Sequence, residues 1–314
     1  MRICDACGRV PHGTPTQRSE AHMTSRLLTA FLLLAAVTLA RAEPIQVAVP
    51  TAGLSSSPAP LVAYLFEPAT PGPHPAVVML HGCGGAYARS GALNARHLMW
   101  GDLLAANGYV ALMLDSFTSR GVKEICTQKY AERSLKDVDR AGDAYAALAF
   151  MRARSDIDAK QVAVLGWSHG GSTVLATIKR RPTQDAGFAR AVAFYPGCSA
   201  AAKRPAAFDP YAPLLVLIGE SDDWTPAAPC EALTAAVRAR GGPMEIVTYP
   251  GTYHDFDNPG ITRQRVRTEV PNGVHPGQGV TTAPNPEARE DAKRRVLRFL
   301  QEMKAPEGAT PGTS

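Results

Sequence analysis

The chain has 314 residues, 45% hydrophobic, 19% charged and 7% aromatic, with 27 Gly, 26 Pro and a formal net charge of +5. That apolar content supports one large core or two small ones and excludes a disordered chain, a collagen-like repeat or a disulfide-only miniprotein. The positive charge is scattered. Runs of Lys and Arg stop at three residues (179–181, 293–295) and have no interleaved aromatics, so no nucleic-acid partner is expected.

In chain order, the first predicted element is a leader. Arg26 precedes the apolar run Leu27 to Ala40, and Ala40-Arg41-Ala42 supplies a small-x-small cleavage site before Glu43-Pro44. This pattern predicts a signal peptide over residues 23–42, starting at Met23, with residues 1–22 as an unfolded upstream extension of the reading frame. The run is shorter than the roughly 20 apolar residues that span a bilayer, so no stable membrane span is expected after cleavage. The expected location is secreted or periplasmic. Cys4-x-x-Cys7 falls in the extension and has no second ligand pair nearby. Without residues 1–42 the net charge falls to +2, so the basic character belongs largely to the leader.

Residues 43–303 read as one α/β domain, followed by a polar, Pro- and Gly-containing tail (304–314) expected to be disordered. Alternation at Ile45, Val47 and Val49, and again from Leu61 to Phe66, predicts an antiparallel pair. Short apolar runs then recur at 76–80, 109–114, 162–165, 191–194, 214–218 and 244–249, as strands of a parallel sheet covered on both faces would read. Helical stripes lie between and after them: Leu135, Val138, Ala141, Tyr145 and Leu148; Cys230, Leu233 and Val237; Ala292, Val296, Phe299 and Leu300. This alternation predicts a mostly parallel central sheet with helices on both faces. Residues 258–284 form a long Gly- and Pro-rich connection with no periodicity.

Three turns after strands carry the chemistry. Gly166-Trp167-Ser168-His169-Gly170-Gly171 lies between a strand and a helical pattern, where small residues let chains pack closely around a nucleophile on a strained turn. Asp222 follows the strand ending at Ile218, and His254 follows the strand ending at Tyr249. The order Ser, Asp, His is that of hydrolases built on an open parallel sheet. Ser168 is read as nucleophile, His254 as its base and Asp222 as the group orienting the imidazole, with Asp223 the competing acid. Taken singly, Ser168 could be a helix N-cap, Asp222 a turn former and His254 a surface residue. Their ordered recurrence at strand ends favours catalysis. Asp115, which precedes the serine, reads as a turn residue or pocket wall. His81-Gly82-Cys83-Gly84-Gly85 follows an earlier strand, and the backbone N–H groups of Cys83 and His169 are the expected oxyanion donors. His81 itself reads as a structural hydrogen-bonding residue. No metal site is expected, since no further His or acid is spaced for one, and no cofactor is expected.

Together with Asp115-Ser116-Phe117, Arg120-Gly121, Gly219 with Pro226, and Tyr249-Pro250-Gly251 with Phe256, these segments resemble the dienelactone hydrolase family of the α/β-hydrolase superfamily over roughly residues 45–302. The resemblance implies an α/β-hydrolase fold and ester-bond hydrolysis. Members that open dienelactones carry a cysteine nucleophile where this chain has Ser168, which moves the expectation to a serine esterase acting on a small-molecule ester through an acyl-enzyme. A catalytically silent binding protein on the same fold, and a transferase or peptidase using the same triad, are the alternatives. Phe117, Arg120, Trp167, Tyr195 and Trp224 neighbour the catalytic turns and are the expected pocket residues, Arg120 as receptor for an anionic group or as partner of an acid on its own loop. Four cysteines remain after the leader. Cys83 and Cys126 follow strands beside the oxyanion segment, and Cys198 and Cys230 follow the strands flanking the acid, so the expected bridges are Cys83–Cys126 and Cys198–Cys230. Nothing in the chain speaks to its oligomeric state.

Overall fold

The computed structural model describes residues 43–51, 53–179 and 187–303. The expected extension (1–22), signal peptide (23–42) and tail (304–314) lie outside the described residues.

The chain opens with β1 (Ile45–Val49), β2 (Leu61–Phe66) and β3 (His74–Leu80), then α1 (Ala95–Ala106), β4 (Val110–Asp115), α2 (Asp137–Arg152) and β5 (Ile157–Trp167). It continues through α3 (His169–Lys179), β6 (Ala191–Phe194), the single turn α4 (Ser199–Ala202), β7 (Leu214–Gly219), α5 (Ala227–Arg238), β8 (Met244–Tyr249), β9 (Arg265–Arg267), β10 (Val280–Thr282) and α6 (Pro286–Gln301). Eight strands form one sheet in the order β1-β2-β4-β3-β5-β6-β7-β8. β1 pairs antiparallel with β2, and β2 antiparallel with β4. From β4 to β8 every pairing is parallel.

The apolar runs explain this layering. Every residue of β3, β4, β6 and β7 is buried. Since successive side chains point to opposite faces, both faces of the central sheet are covered. α2 and α3 pack on β5, α1 on β4, α5 on β8 and β7, and α6 on β7. Helix starts follow local chemistry: Asn94 Oδ1 accepts the Arg96 N–H at the head of α1, and Asn285 Oδ1 accepts the Ala288 N–H at the head of α6, where Pro286 cannot donate.

Two expectations need correction. Val138 of the predicted α2 stripe is 62% exposed and Leu135 precedes the helix, while Arg140 and Asp143 are buried. The inward face is therefore Ala-rich and carries two charged groups with partners of their own. The stretch 258–284 is not uniformly irregular either, since β9 and β10 pair antiparallel within it. Three-residue strands are too short to display a period of two.

Candidate active site

Ser168 stands alone between β5 and α3 at φ +54°, a left-handed conformation uncommon outside glycine. Its N–H donates to Phe194 O at 2.9 Å and its carbonyl accepts the Ser172 N–H at 2.8 Å, so β6 and α3 both hold the turn. The neighbouring glycines permit the crossing. A Cβ on Gly166 would lie 2.3 Å from Gly170 O, and one on Gly170 would lie 2.1 Å from Leu80 O. Both contacts are with main chain that cannot move aside.

Asp222 and His254 come from the turns after β7 and β8. His254 Nδ1 lies 2.7 Å from Asp222 Oδ2. The other carboxylate oxygen accepts the N–H groups of Trp224 and Thr225 at 2.9 and 2.8 Å, which fixes the acid in its turn. The imidazole is clasped between the rings of Tyr195 and Trp224, at centroid distances of 4.5 and 4.6 Å. Its Nε2 is buried and has no hydrogen-bond partner, Ser168 Oγ included. Contacts of this kind often close only around bound substrate. Asp223 faces elsewhere: its carboxylate takes the N–H and hydroxyl of Thr281 on β10, each at 2.7 Å.

The segment 81–85 runs against the serine turn. A Cβ on Gly82 would touch Trp167 O at 3.3 Å and Ser168 Cβ at 3.4 Å, and Cys83 and Ser168 line one cavity. His169 opens α3, where its N–H has no carbonyl partner within the helix. Two disulfides, the pairs named from the sequence, tie these loops: Cys83–Cys126, and Cys198–Cys230 between the loop after β6 and α5. His81 is buried, with Nδ1 2.7 Å from Gly82 O and Nε2 accepting the Ser116 N–H at 3.2 Å. Asp115 Oδ1 accepts the N–H groups of Phe117 and Thr118 and shapes the turn after β4.

The cavity over Ser168 measures about 150 Å³, with Cys83, Asn94, Arg96, Trp224, His254, Asn258 and Arg267 among its walls. Of the residues expected to line it, only Trp224 does, its ring facing the Arg267 guanidinium at 5.2 Å. Trp167 and Tyr195 are fully buried beneath the site, where the indole N–H of one and the hydroxyl of the other donate to Asp257. Phe117 faces a different groove with Tyr87 and Val122, which meets the cavity at Gly84 and Gly85. Arg120 does not line this cavity, and its acid partner stands on α2 rather than on its own loop. Its guanidinium forms a two-pronged pair with Asp143, at 3.0 and 2.8 Å, and also reaches Ser116 O.

Sequence reading missed the polar layer under the cavity. Arg96 of α1 donates through Nη1 to Asp255 Oδ1 and, at 2.8 Å, to the Tyr195 hydroxyl. Asp257 accepts that hydroxyl at 2.6 Å and the indole N–H groups of Trp100 and Trp167 at 2.8 and 2.9 Å. Burial drives the Asp257 carboxyl above the usual range and outweighs Arg96. Burial also pushes Asp255 upward, but Arg96 foremost, then His254, hold it below the ordinary carboxylate value. The acids flanking Phe256 in His254-Asp255-Phe256-Asp257 were the available signal. Among the described residues no group of three or more His, Cys, Asp or Glu is arranged to hold a metal ion, and no helix is long and apolar enough to cross a membrane.

A profile of the dienelactone hydrolase family matches residues 61–304. The "Putative carboxymethylenebutenolidase" of Methylorubrum extorquens is 27% identical over 201 residues, covering 62% of this chain and 67% of that protein. Among solved structures, a "Putative Dienelactone Hydrolase" from Klebsiella pneumoniae superposes with a TM-score of 0.62 at 20% identity, over 82% of this chain and 98% of the other. A propionate-bound esterase from Thermogutta terrifontis superposes with a TM-score of 0.58 at 18% identity, over 85% and 97%. At these identities the superpositions establish the α/β-hydrolase fold.

Proposed function

Since the chain belongs to the dienelactone hydrolase family and is an ester-hydrolysing enzyme, we propose that it cleaves short-chain carboxylic esters through an acyl-enzyme on Ser168, with His254 as base and Asp222 as its orienting acid. The observation that carries this reading is the 2.7 Å contact from His254 Nδ1 to Asp222 Oδ2, which leaves Nε2 as the free nitrogen in the cavity that Ser168 shares. His254 Nε2 takes the Ser168 hydroxyl proton as Oγ attacks the acyl carbon. Asp222 keeps the Nδ1–H tautomer and stabilises the imidazolium. The developing oxyanion is met by the N–H groups of Cys83 and His169. The imidazolium then protonates the departing alcohol, and water repeats the sequence on the acyl-enzyme.

We take the cavity of about 150 Å³ over Ser168 as the seat of the acyl group, well below the roughly 300–1,000 Å³ of sites for drug-sized ligands, while the groove of about 720 Å³ that meets it at Gly84 and Gly85 has room for the rest of the ester. Acetyl and butyryl p-nitrophenyl esters are expected to turn over far faster than octanoyl or longer ones. Ser168→Ala is expected to lose about 10⁴- to 10⁶-fold in kcat and all labelling by a fluorophosphonate. A variant as active as the parent refutes the assignment. An exported enzyme is the location favoured by the leader pattern and by bridges at two active-site loops, since such bridges persist in oxidising compartments. N-terminal sequencing of the exported protein tests this, with Glu43 as the expected first residue.

A further inference from the structure

His254 sits among groups from several elements. Asp222 and the Trp224 ring come from the turn after β7, Tyr195 from the end of β6, and Asp255 from its own loop. Arg96 comes from α1 and Arg267 from β9. The base therefore has two carboxylates close by, of which Asp222 alone is bonded to the ring. Arg96 occupies the other. Its Nη1 bonds Asp255, the residue after the base, and the hydroxyl of Tyr195, whose ring lies on the imidazole. The guanidinium also stands 5.3 Å from the ring of Trp167, the residue before Ser168. Asp255 and Tyr195 are held at φ +62° and +37°, conformations that non-glycine residues keep only where surrounding contacts impose them.

We propose that Arg96 is a positioning residue for the base: it locks the His254 loop against the serine turn and neutralises Asp255, leaving Asp222 as the carboxylate that governs the imidazole. The proposal rests on the Ser168–His254–Asp222 reading. Its signature is a pair of opposite shifts. Asp255→Asn removes the acid bonded to Arg96, leaving Asp257, 3.9 Å from the guanidinium, as its remaining carboxylate partner, and disfavours the imidazolium. Arg96→Met removes the cation bonded to Asp255, leaving Arg267 as the remaining basic side chain acting on it, and favours the imidazolium.

The test follows the His254 imidazole by NMR titration and the acid limb of kcat/KM on p-nitrophenyl acetate, using the full chain. Asp255→Asn is expected to move both midpoints down, Arg96→Met to move them up, and the double variant to return them to the parental position. Turnover falls in all three, with KM changing less than kcat. Arg96→Lys is expected to keep the parental midpoint and recover part of kcat. If Arg96→Met fails to fold, Asp255→Asn still decides, because its amide oxygen can accept the Arg96 bond while its charge is gone. Lowered turnover with unmoved midpoints in the single variants overturns the proposal and leaves Arg96 as a packing residue. Retained turnover in Ser168→Ala would overturn the triad reading, whereas the NMR titration of His254 does not depend on it.

Discussion

Arg140 is buried to 0% exposure in α2, yet its Nη1 reaches both His81 O and His169 Nδ1 at 2.9 Å, while Nε and Nη2 have no partner. Asp143, one turn further on, is taken by Arg120 and Ser55. Burial lowers the Arg140 pKa to about 10. A cation kept at that cost bridges the two segments that carry the proposed oxyanion donors. Arg140→Met is expected to lower kcat about 10²-fold at nearly constant KM, and kcat per fluorophosphonate-labelled site is the measurement. An unchanged value would make Arg140 a packing residue. Asp222→Asn is expected to cost about 10⁴ in kcat, whereas Asp223→Asn weakens the grip on β10 and affects kcat far less. The turns that hold Ser168, Asp222 and His254, and the contact between the last two, were readable because each residue follows an apolar strand. The pocket was not, because adjacency in sequence does not say which way a side chain turns. Trp167 and Tyr195 go inward, while Arg96 and Arg267 arrive from elements far away in the chain.

At the scale of elements, the central strands and the stripes of α5 and α6 were legible, since their side chains meet one continuous apolar layer. The β9–β10 hairpin was not, because its strands are three residues long and what holds it comes from far away in the chain: Asp223, the pairing of Thr282 with His254, and the small apolar cluster in which Val270 and Val280 meet Phe117 and Trp224. The two bridges act on different elements. Cys83–Cys126 ties the segment 81–85, which carries one proposed oxyanion donor, to the loop after β4, and Cys198–Cys230 ties α5 to the loop after β6. Replacing either pair by alanine is expected to lower stability by about 2–4 kcal/mol, read from denaturant midpoints. Only loss of Cys83–Cys126 is expected to reduce kcat strongly. Equal kcat in both double variants would separate the bridge from the chemistry.

For the whole molecule, acid is the expected weakness. Burial foremost, then Arg140, holds His81 well below its ordinary pKa, and burial with Arg96 does the same for His97. His169 is lowered by burial first and Arg140 second. All three stay neutral when folded but take up protons near pH 6.5 when unfolded, so stability falls as pH drops through that value. The slope approaches about 1.4 kcal/mol per pH unit for each histidine. Thermal melts are expected to show Tm falling steeply from pH 6.5 to 5, and a flat profile would contradict the neutral assignments. The adjacent acids after β7 carry a lesson for redesign. Asp222 holds the His254 ring while Asp223 anchors the hairpin whose Arg267 walls the cavity. Anyone grafting a different hairpin to widen the substrate range must therefore keep a donor pair where Thr281 stands, or Arg267 will lose its place in the cavity wall while Asp222 keeps the contacts of its own turn.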